Sequence, residues 1–142
     1  MKEKDKQKVE RLYNANELIK AIGTTGRKFF NYPNKHGLGR FELGKQGSIW
    51  FVDGYTGKRI YINHKYWQGG GFSEGGTMRD LINDLKNYIT NGKKFGYPER
   101  HFGPWPIWLC EGDLWGYGDE DMGIVRKRAI ELGITVDGGK DD

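Results

Sequence analysis

The chain has 142 residues, of which 36% are hydrophobic and 30% charged, so it is long enough for one core and too short for two full ones. Its longest apolar runs are far shorter than the roughly 20 residues that a membrane span needs, and no apolar region follows the charged first residues as it would in a secretory signal. We therefore expect one cytoplasmic domain over residues 1–136, with a frayed leader at 1–8 and a disordered tail at 137–142.

The composition and the distribution of charge favour a sheet with an anionic partner. Glycine occurs 23 times and aromatic residues make up 14% of the chain, which is typical of strands, tight turns and aromatic surfaces. Residues 1–66 carry 14 basic and 6 acidic side chains, whereas residues 101–142 carry 4 and 9. The basic N-terminal half indicates an anionic partner, with nucleic acid as the first candidate. The acidic C-terminal part can face a basic protein or pair with the basic half.

The first predicted element is a short helix in the segment "NANELIKAIG". Asn14 is the expected N-cap, Glu17 follows it three residues on, and Gly23 comes just after the last apolar position, as in a capped helix. The sequence leaves open whether the helix extends backwards through residues 9–13. The side chains expected to be buried are Leu18, Ile19 and Ile22.

Four short segments rich in β-branched and aromatic residues follow, and they predict an antiparallel meander: "RKFFN", "GRFEL", "SIWFVD" and "KRIYIN". The clearest hairpin joins the last two, because Asp53, Gly54 and Gly57 supply its turn. In the strand after that turn, Ile60 and Ile62 alternate with side chains that face away from the core. Those outward side chains are Arg59, Tyr61 and Asn63.

Two further helices are predicted. In "TMRDLINDLKNYITNG", Thr77 and Asp80 form a capping box and Gly92 ends the helix; its apolar stripe is Met78, Leu81, Ile82, Leu85 and Ile89. In "DEDMGIVRKRAIELG", Asp119 is the expected N-cap and Gly133 the end. The predicted fold class is α+β, with an antiparallel sheet of three to five strands packed on the amphipathic 78–91 helix and short helices at both ends.

Several motifs are weak as sites. The loop in "YWQGGGFSEGGT" lacks the Gly-Lys-Ser/Thr ending of a P-loop and contains Glu74, so we interpret it as a connection rather than a phosphate cradle. The soft metal ligands lie on separate segments without paired spacing, so neither a metal site nor any other cofactor is expected. They are His36, His64, His101 and Cys110. Cys110 cannot form an internal disulfide because it is the single cysteine.

The acidic segment "CEGDLWGYGDED" supports two hypotheses. A two-metal nuclease cluster is the weaker one, because Asp119 and its acidic neighbours are better explained as the first turn of the last helix. The other is an acidic aromatic patch that binds a protein partner, with a solvated rim as the plain alternative. Its residues are Glu111, Asp113, Trp115 and Tyr117.

The strongest functional signal is the basic and aromatic sheet. Between residues 27 and 65, eight Lys and Arg side chains stand against only Glu42 and Asp53, interleaved with aromatic rings. Lys and Arg neutralise phosphates, and exposed rings stack on bases, although some rings must lie in the core. The residues expected to bind nucleic acid are Arg40, Lys45, Lys58, Arg59, Tyr61 and Lys65.

Two resemblances bear on function. Residues 39–92 resemble, in element order, the sheet-plus-helix DNA-binding domains of ethylene-response factors and phage integrases, whose strands enter the major groove. The motifs "DGYTGKRIY", "FSEGGTMRDLINDL" and "HFGPW…CEGDLWGYG" are similar to small uncharacterised proteins of bacteriophages and mobile elements. That second resemblance covers most of the chain and implies roles in binding nucleic acid or host proteins.

Three functions follow as hypotheses. The favoured one is a non-catalytic phage-type protein that binds nucleic acid through the sheet. The alternative is an inhibitor that binds a host defence or nucleic-acid-processing protein, for example a CRISPR effector or a nuclease, through the sheet or the acidic aromatic patch. The weakest is a metal-dependent nuclease. The sequence leaves open DNA against RNA and the oligomeric state.

Overall fold

The computed structural model of the chain describes residues 3–62, 76–92 and 117–135. Within these ranges the helices are α1 (Glu3–Gly23), α2 (Gly76–Asn91) and α3 (Asp119–Glu131). The strands are β1 (Asn31–Tyr32), β2 (Gly37–Leu38), β3 (Arg40–Leu43), β4 (Ile49–Val52) and β5 (Arg59–Tyr61), with a 3-10 turn at Lys45–Gly47. The predicted α+β class is confirmed. The predicted tail at 137–142 lies outside the described residues.

Helix α1 is longer than expected. It begins at Glu3, so residues 3–8 are helical, and Asn14 is an interior residue and not the N-cap. Glu3 and Asp5 lie in the first turn, where acidic side chains favour the positive end of the helix dipole. The Asn14 amide instead donates to the Tyr88 hydroxyl at 3.0 Å. The side chain that the sequence predicts as a helix cap therefore makes a long-range contact between α1 and α2.

The three-stranded sheet has the order β3-β4-β5 and is antiparallel. Three of the four predicted segments, "GRFEL", "SIWFVD" and "KRIYIN", contain its strands. The predicted hairpin turn is confirmed: the Asp53 carboxylate accepts from the Thr56 hydroxyl at 2.9 Å, and Gly57 has a φ of +75°, which glycine adopts without strain. The expected alternation also holds, since Ile60 and Ile62 are buried and Arg59 and Tyr61 exposed.

The segment "RKFFN" is not a strand, contrary to the prediction. Lys28 and Phe30 have φ values of 57° and 70°, which are left-handed conformations that an extended strand excludes. The turn brings the Phe30 ring into the core, 6.0 Å from that of Phe51 in an edge-to-face arrangement with an interplanar angle of 70°. Only Asn31 and Tyr32 remain extended, and they pair with Gly37–Leu38 as a small second sheet.

Helix α2 ends where predicted but begins at Gly76, two residues before the predicted start, so Thr77 is a helical residue and not the N-cap. Leu81, Ile82, Leu85 and Ile89 are fully buried, as expected of the apolar stripe. The side chains of Thr77, Met78 and Asp80 lie outside the described part. We expected this helix to cover the sheet, but it packs mainly against α1, and α1 contacts β3. Arg11 explains part of this arrangement, because its Nε donates to the Ile89 carbonyl at 3.0 Å, at the end of α2.

Helix α3 begins one residue earlier than predicted. Gly118 is its N-cap, and Asp119 is its first helical residue. Gly133 follows its end with a φ of +75°, as expected of a helix-terminating glycine. Arg128 on α3 pairs with Glu17 on α1 at 3.1 Å, so α1 contacts α2, β3 and α3. No helix in the described ranges is long and apolar enough to cross a membrane.

The core is one cluster built around α1. Ala15, Leu18, Ile19 and Ile22 are fully buried, which confirms the predicted buried side chains. They meet apolar side chains of the sheet, α2 and α3: Phe41, Phe51, Ile60, Leu81, Leu85, Met122 and Val125. The face of the three-stranded sheet that carries Phe41, Phe51 and Ile60 is therefore buried in the core.

The contact between α1 and the sheet is also polar. Strand β3 lies at the edge of its sheet, and the Asn16 amide pairs with both peptide groups of Phe41 on that strand. Its Oδ1 accepts from the Phe41 N–H at 2.6 Å, and its Nδ2 donates to the Phe41 carbonyl at 3.0 Å. Asn16 therefore takes the place of a neighbouring strand along an edge that would otherwise present unpaired groups.

We expect Asn16→Ala to destabilise the protein by about 2 kcal/mol, because a donor and an acceptor of Phe41 both lose their partner in a part-buried position. Urea denaturation monitored by circular dichroism measures the change. Asn16→Asp keeps the acceptor but has no donor for the Phe41 carbonyl when its carboxyl is ionised at neutral pH, so it should destabilise the protein there. The effect should be smaller in acid, where the neutral carboxyl has an O–H that can donate. Unchanged stability of Asn16→Ala would contradict the role of this pair.

Candidate nucleic-acid interface

The sheet face opposite the core presents two rows of side chains, set by strand register. In one row Arg40, Val52 and Arg59 are paired neighbours, and in the next Glu42, Trp50 and Tyr61. We call Arg40, Glu42, Trp50, Arg59 and Tyr61 the outer face. Arg40 and Arg59 are about half exposed, at 50% and 44% of their side chains. The outer face is therefore open to a partner.

Glu42 joins the two arginines of the outer face. Its Oε2 lies 2.9 Å from Arg40 Nη2, and its Oε1 accepts from Arg59 Nε at 3.0 Å. The hydrogen bond from Arg59, with a further one from Arg40, lowers the pKa of the Glu42 carboxyl below its ordinary value although partial burial opposes the shift. Glu42 is thus ionised at neutral pH and offsets one of the two positive charges.

Arg59 reaches Glu42 by crossing β4 over the ring of Trp50. Its guanidinium carbon lies 4.4 Å from the Trp50 ring centroid, within the roughly 6 Å of a cation-π contact. The Trp50 ring is fixed by its Nε1, which donates to the Ser48 hydroxyl at 3.0 Å, and lies 5.1 Å from the Tyr61 ring. The result is a layer of Arg59, Trp50 and Tyr61, in which Tyr61 remains 38% exposed.

The structure brings together some of the predicted binding residues and separates others. Arg40, Arg59 and Tyr61 share the outer face, and exposed Lys58 directly precedes β5. Lys45 lies in the 3-10 turn that joins β3 to β4, at the opposite end of the sheet from the turn that carries Lys58. Lys65 lies outside the described residues. The predicted set is therefore a compact group with Lys45 apart from it.

Sequence reasoning did not include Trp50 and Glu42 in the site. The alternation of β5 alone identifies Arg59 and Tyr61, but placing Trp50 and Glu42 beside them needs the registers of β3 and β4. That register depends on the turn between them, where Gln46 and Gly47 have φ values of 59° and 76°. Consecutive left-handed residues carry no strong sequence signal when one of them is glutamine.

A second basic and aromatic group surrounds the turn between β4 and β5. Tyr55 is 46% exposed, its ring lies 5.3 Å from that of Tyr32, and Lys35 Nζ lies 5.2 Å from its centroid. The His36 ring packs on Gly57, since a Cβ added there would lie 2.7 Å from the imidazole. The hairpin of β1 and β2 therefore docks on this turn and adds Lys35 to the basic surface near Lys58.

Tyr117 does not belong to an exposed acidic aromatic patch, contrary to the prediction. Tyr117 is fully buried, so it is not an exposed anchor: its hydroxyl donates to the Ile22 carbonyl at 2.7 Å and accepts from the Phe29 N–H at 3.1 Å. Its ring stacks on Phe29 at 5.6 Å. Glu111, Asp113 and Trp115 lie outside the described residues.

The remaining candidates from the sequence are the glycine-rich loop and the scattered metal ligands. The glycine-rich loop with Glu74 lies outside the described residues, as do His64, His101 and Cys110. Among the residues that are described, no three His, Cys, Asp or Glu side chains come together as a metal site.

Comparison with known proteins identifies a family and a curated relative. Residues 5–139 match the family YoqU. The chain is 29% identical over 136 residues to the SPbeta prophage-derived uncharacterized protein YoqU of Bacillus subtilis (strain 168). The aligned region covers 94% of this chain and 90% of the relative. No solved structure matches the chain. These findings support the resemblance to small uncharacterised phage proteins and show no DNA-binding domain family.

The buried hydroxyl of Tyr117 predicts a stability defect. Tyr117→Phe removes one hydrogen bond to the Ile22 carbonyl and one from the Phe29 N–H and should lower the free energy of unfolding by about 1–3 kcal/mol. Urea denaturation checks it. The matched control is Tyr13→Phe, since Tyr13 is 60% exposed and should change stability by less than about 0.5 kcal/mol. Equal behaviour of the two variants would contradict the assigned hydrogen bonds.

The lowered pKa of Glu42 predicts a pH dependence. A carboxyl with a lower pKa in the folded state stabilises that state above its unfolded value, near 4.5, and this contribution is lost as the pH falls through the folded pKa. Wild type should therefore be more stable than Glu42→Gln at neutral pH, by less than about 1 kcal/mol since the pair is partly exposed, and the difference should shrink in acid. Denaturation at several pH values, with exposed Glu10→Gln as control, measures it. A difference that grows in acid would contradict the ion pairs.

Proposed function

The chain belongs to the YoqU family, and from that premise we propose that it is a non-catalytic phage accessory protein that binds nucleic acid through the outer face. Its place of action is the cytoplasm of the host cell, where nucleic acid and the proteins that process it are present. The prophage origin of the curated relative supports the phage part of this proposal. The nucleic-acid part rests on the chemistry of the sheet.

The observation that carries the proposal is the layer formed by Arg59, Trp50 and Tyr61. Arg59 lies 4.4 Å from the Trp50 ring, and Tyr61 stands beside the same ring with 38% of its surface open. A guanidinium held on an aromatic ring loses less conformational freedom when it binds an anion than a free side chain would. An exposed ring next to it offers a base a stacking surface.

Arg40 and Arg59 are suited to bind a phosphate group. Glu42 already occupies the N–H groups that such a phosphate would use. Each arginine donates a hydrogen bond from Nε to the Glu42 carboxylate, and Arg40 Nη2 lies 2.9 Å from the same carboxylate. Both guanidinium groups are therefore oriented towards the oxygens of an anion, and their geometry matches carboxylate and phosphate. A phosphate oxygen must compete with this carboxylate or use the remaining N–H groups. Glu42 therefore holds the arginines in position and limits their affinity for nucleic acid.

We expect the ligand to be single-stranded. Stacking on Tyr61 requires an unpaired base, and the outer face offers one half-exposed ring beside two cations. Lys58 and Lys35, near the turn between β4 and β5, extend the positive surface along the path that a strand would take past Arg40 and Arg59. Lys45 lies apart from that path.

The test is fluorescence anisotropy with labelled single- and double-stranded DNA and RNA at low and near-physiological salt. Arg59→Glu should weaken binding severalfold and lower the slope of log affinity against log salt by about 1. Glu42→Gln should strengthen binding, because it removes a negative charge and frees the arginines from a carboxylate. The matched control is Lys20→Glu on α1, since Lys20 is exposed and lies on another surface and the charge change equals that of Arg59→Glu.

Two outcomes would overturn the proposal. One is affinity that falls equally in Lys20→Glu and Arg59→Glu, which would make the binding a consequence of net charge alone. The other is no binding of any nucleic acid at near-physiological salt. The outer face would then be tested as a protein contact, by a pulldown from nuclease-treated host lysate in which Arg59→Glu loses a partner that Lys20→Glu retains.

A further inference from the structure

A cleft of about 580 Å³ lies between the first half of α1, the turn joining β3 to β4, and the last turn of α2. That volume is in the range of about 300–1,000 Å³ that small-molecule sites occupy. The cleft is separate from the outer face, and neither the family match nor the proposed function uses it. Its lining combines charged and apolar side chains: Asp5, Lys8, Val9, Arg11, Leu43 and Thr90.

Two cations in the cleft are held in place by the backbone. Lys8 Nζ donates to the Gly47 carbonyl at 2.6 Å, and Arg11 Nε donates to the Ile89 carbonyl at 3.0 Å. Each bond uses one donor, so the ammonium keeps two N–H groups and the guanidinium four. Within the described part of the chain, neither terminal nitrogen of Arg11 makes a hydrogen bond. The cations are one helical turn apart on the same face of α1, where side chains three residues apart are neighbours.

The remaining lining restricts the ligand further. Asp5 lies one turn before Lys8 on α1, and its carboxylate accepts hydrogen bonds but repels a second anion. The Thr90 hydroxyl is a further polar partner, and Val9 and Leu43 supply apolar surface. The pattern suits a molecule with one anionic group, at least one hydroxyl donor and a carbon skeleton. A free inorganic anion would satisfy the cations and leave the rest of the cleft unused.

We propose that this cleft binds a small phosphate monoester on a hydroxylated carbon skeleton, such as a sugar phosphate or a nucleotide. The phosphate contacts Lys8 and Arg11, a hydroxyl donates to Asp5, and the skeleton lies on Val9 and Leu43. Two charge-assisted contacts to the phosphate supply most of the affinity. Asp5 supplies the preference for esters over inorganic phosphate.

Isothermal titration calorimetry of the full chain tests the proposal, with inorganic phosphate, ribose 5-phosphate and uridine monophosphate as probes at constant ionic strength. We expect both esters to bind more tightly than inorganic phosphate. If only uridine monophosphate does so, the class narrows to nucleotides, and if ribose 5-phosphate matches it, the base makes no contribution. No heat with either ester up to about 10 mM, which corresponds to less than about 3 kcal/mol of binding, overturns the proposal.

Three variants locate the site. Lys8→Met should weaken ester binding about tenfold, the factor that corresponds to one charge-assisted hydrogen bond. Lys20→Met removes the same charge from an exposed position of the same helix that does not line the cleft and should leave binding unchanged. Asp5→Asn should strengthen binding of inorganic phosphate and reduce the preference for esters. Equal losses in the two lysine variants, or an unchanged preference in Asp5→Asn, would contradict the assignment.

The inference does not depend on the proposed nucleic-acid site. Arg59→Glu, which is expected to impair nucleic-acid binding, should leave the calorimetric affinity for the esters unchanged because Arg59 does not line the cleft. Loss of ester binding in Arg59→Glu would place the ligand on the outer face and overturn the cleft assignment.

Discussion

The side-chain amide of Asn16 pairs with the backbone of Phe41 as a neighbouring strand would, by one accepted and one donated hydrogen bond. A sheet edge with unpaired N–H and C=O groups invites pairing with other chains, and here a helix covers it. The same pair fixes the distance and rotation of α1 relative to the sheet. The apolar side chains of α1, from Ala15 to Ile22, then meet Phe41 and Phe51, and this committed face leaves the opposite face of the sheet to solvent.

Helix α1 organises the other elements by the same combination of polar and apolar contacts. Arg11 and Asn14 bind the end of α2, and Glu17 pairs with Arg128 of α3. These polar contacts are directional, whereas apolar burial alone stabilises many similar packings. They therefore select one arrangement of α2 and α3 around α1. Tyr117 adds a further tie, because its buried hydroxyl joins the end of α1 to the turn at Phe29.

The outer face and the cleft are two consequences of this architecture. On the outer face, Glu42 orders Arg40 and Arg59 and also neutralises part of their charge, so the same contact that preorganises the proposed site weakens its attraction for phosphate. In the cleft, Lys8 and Arg11 are ordered by backbone carbonyls instead. A carbonyl orients a cation without cancelling its charge, which is why a small surface with two cations supports a proposal for an anionic ligand.

Local patterns in the sequence determined the elements whose signals lie within a few residues. The hairpin at Asp53–Gly57, the apolar stripe from Leu81 to Ile89 and the glycine at the end of α3 follow from turn chemistry and periodicity. The tertiary structure alone decided the uses of side chains whose partners are distant: Asn14 contacts Tyr88 and is no cap, Tyr117 is buried and is no surface anchor, and α1 covers the sheet where α2 was expected. The register that joins Glu42, Trp50 and Arg59 was hidden for another reason: it depends on the turn at Gln46 and Gly47, and a glutamine does not signal a left-handed conformation. The uses of Asn14, Tyr117 and α1 depend on contacts between segments far apart in the chain. Periodicity reports only the face that a residue shares with its neighbours and carries no information about which distant segment that face will meet.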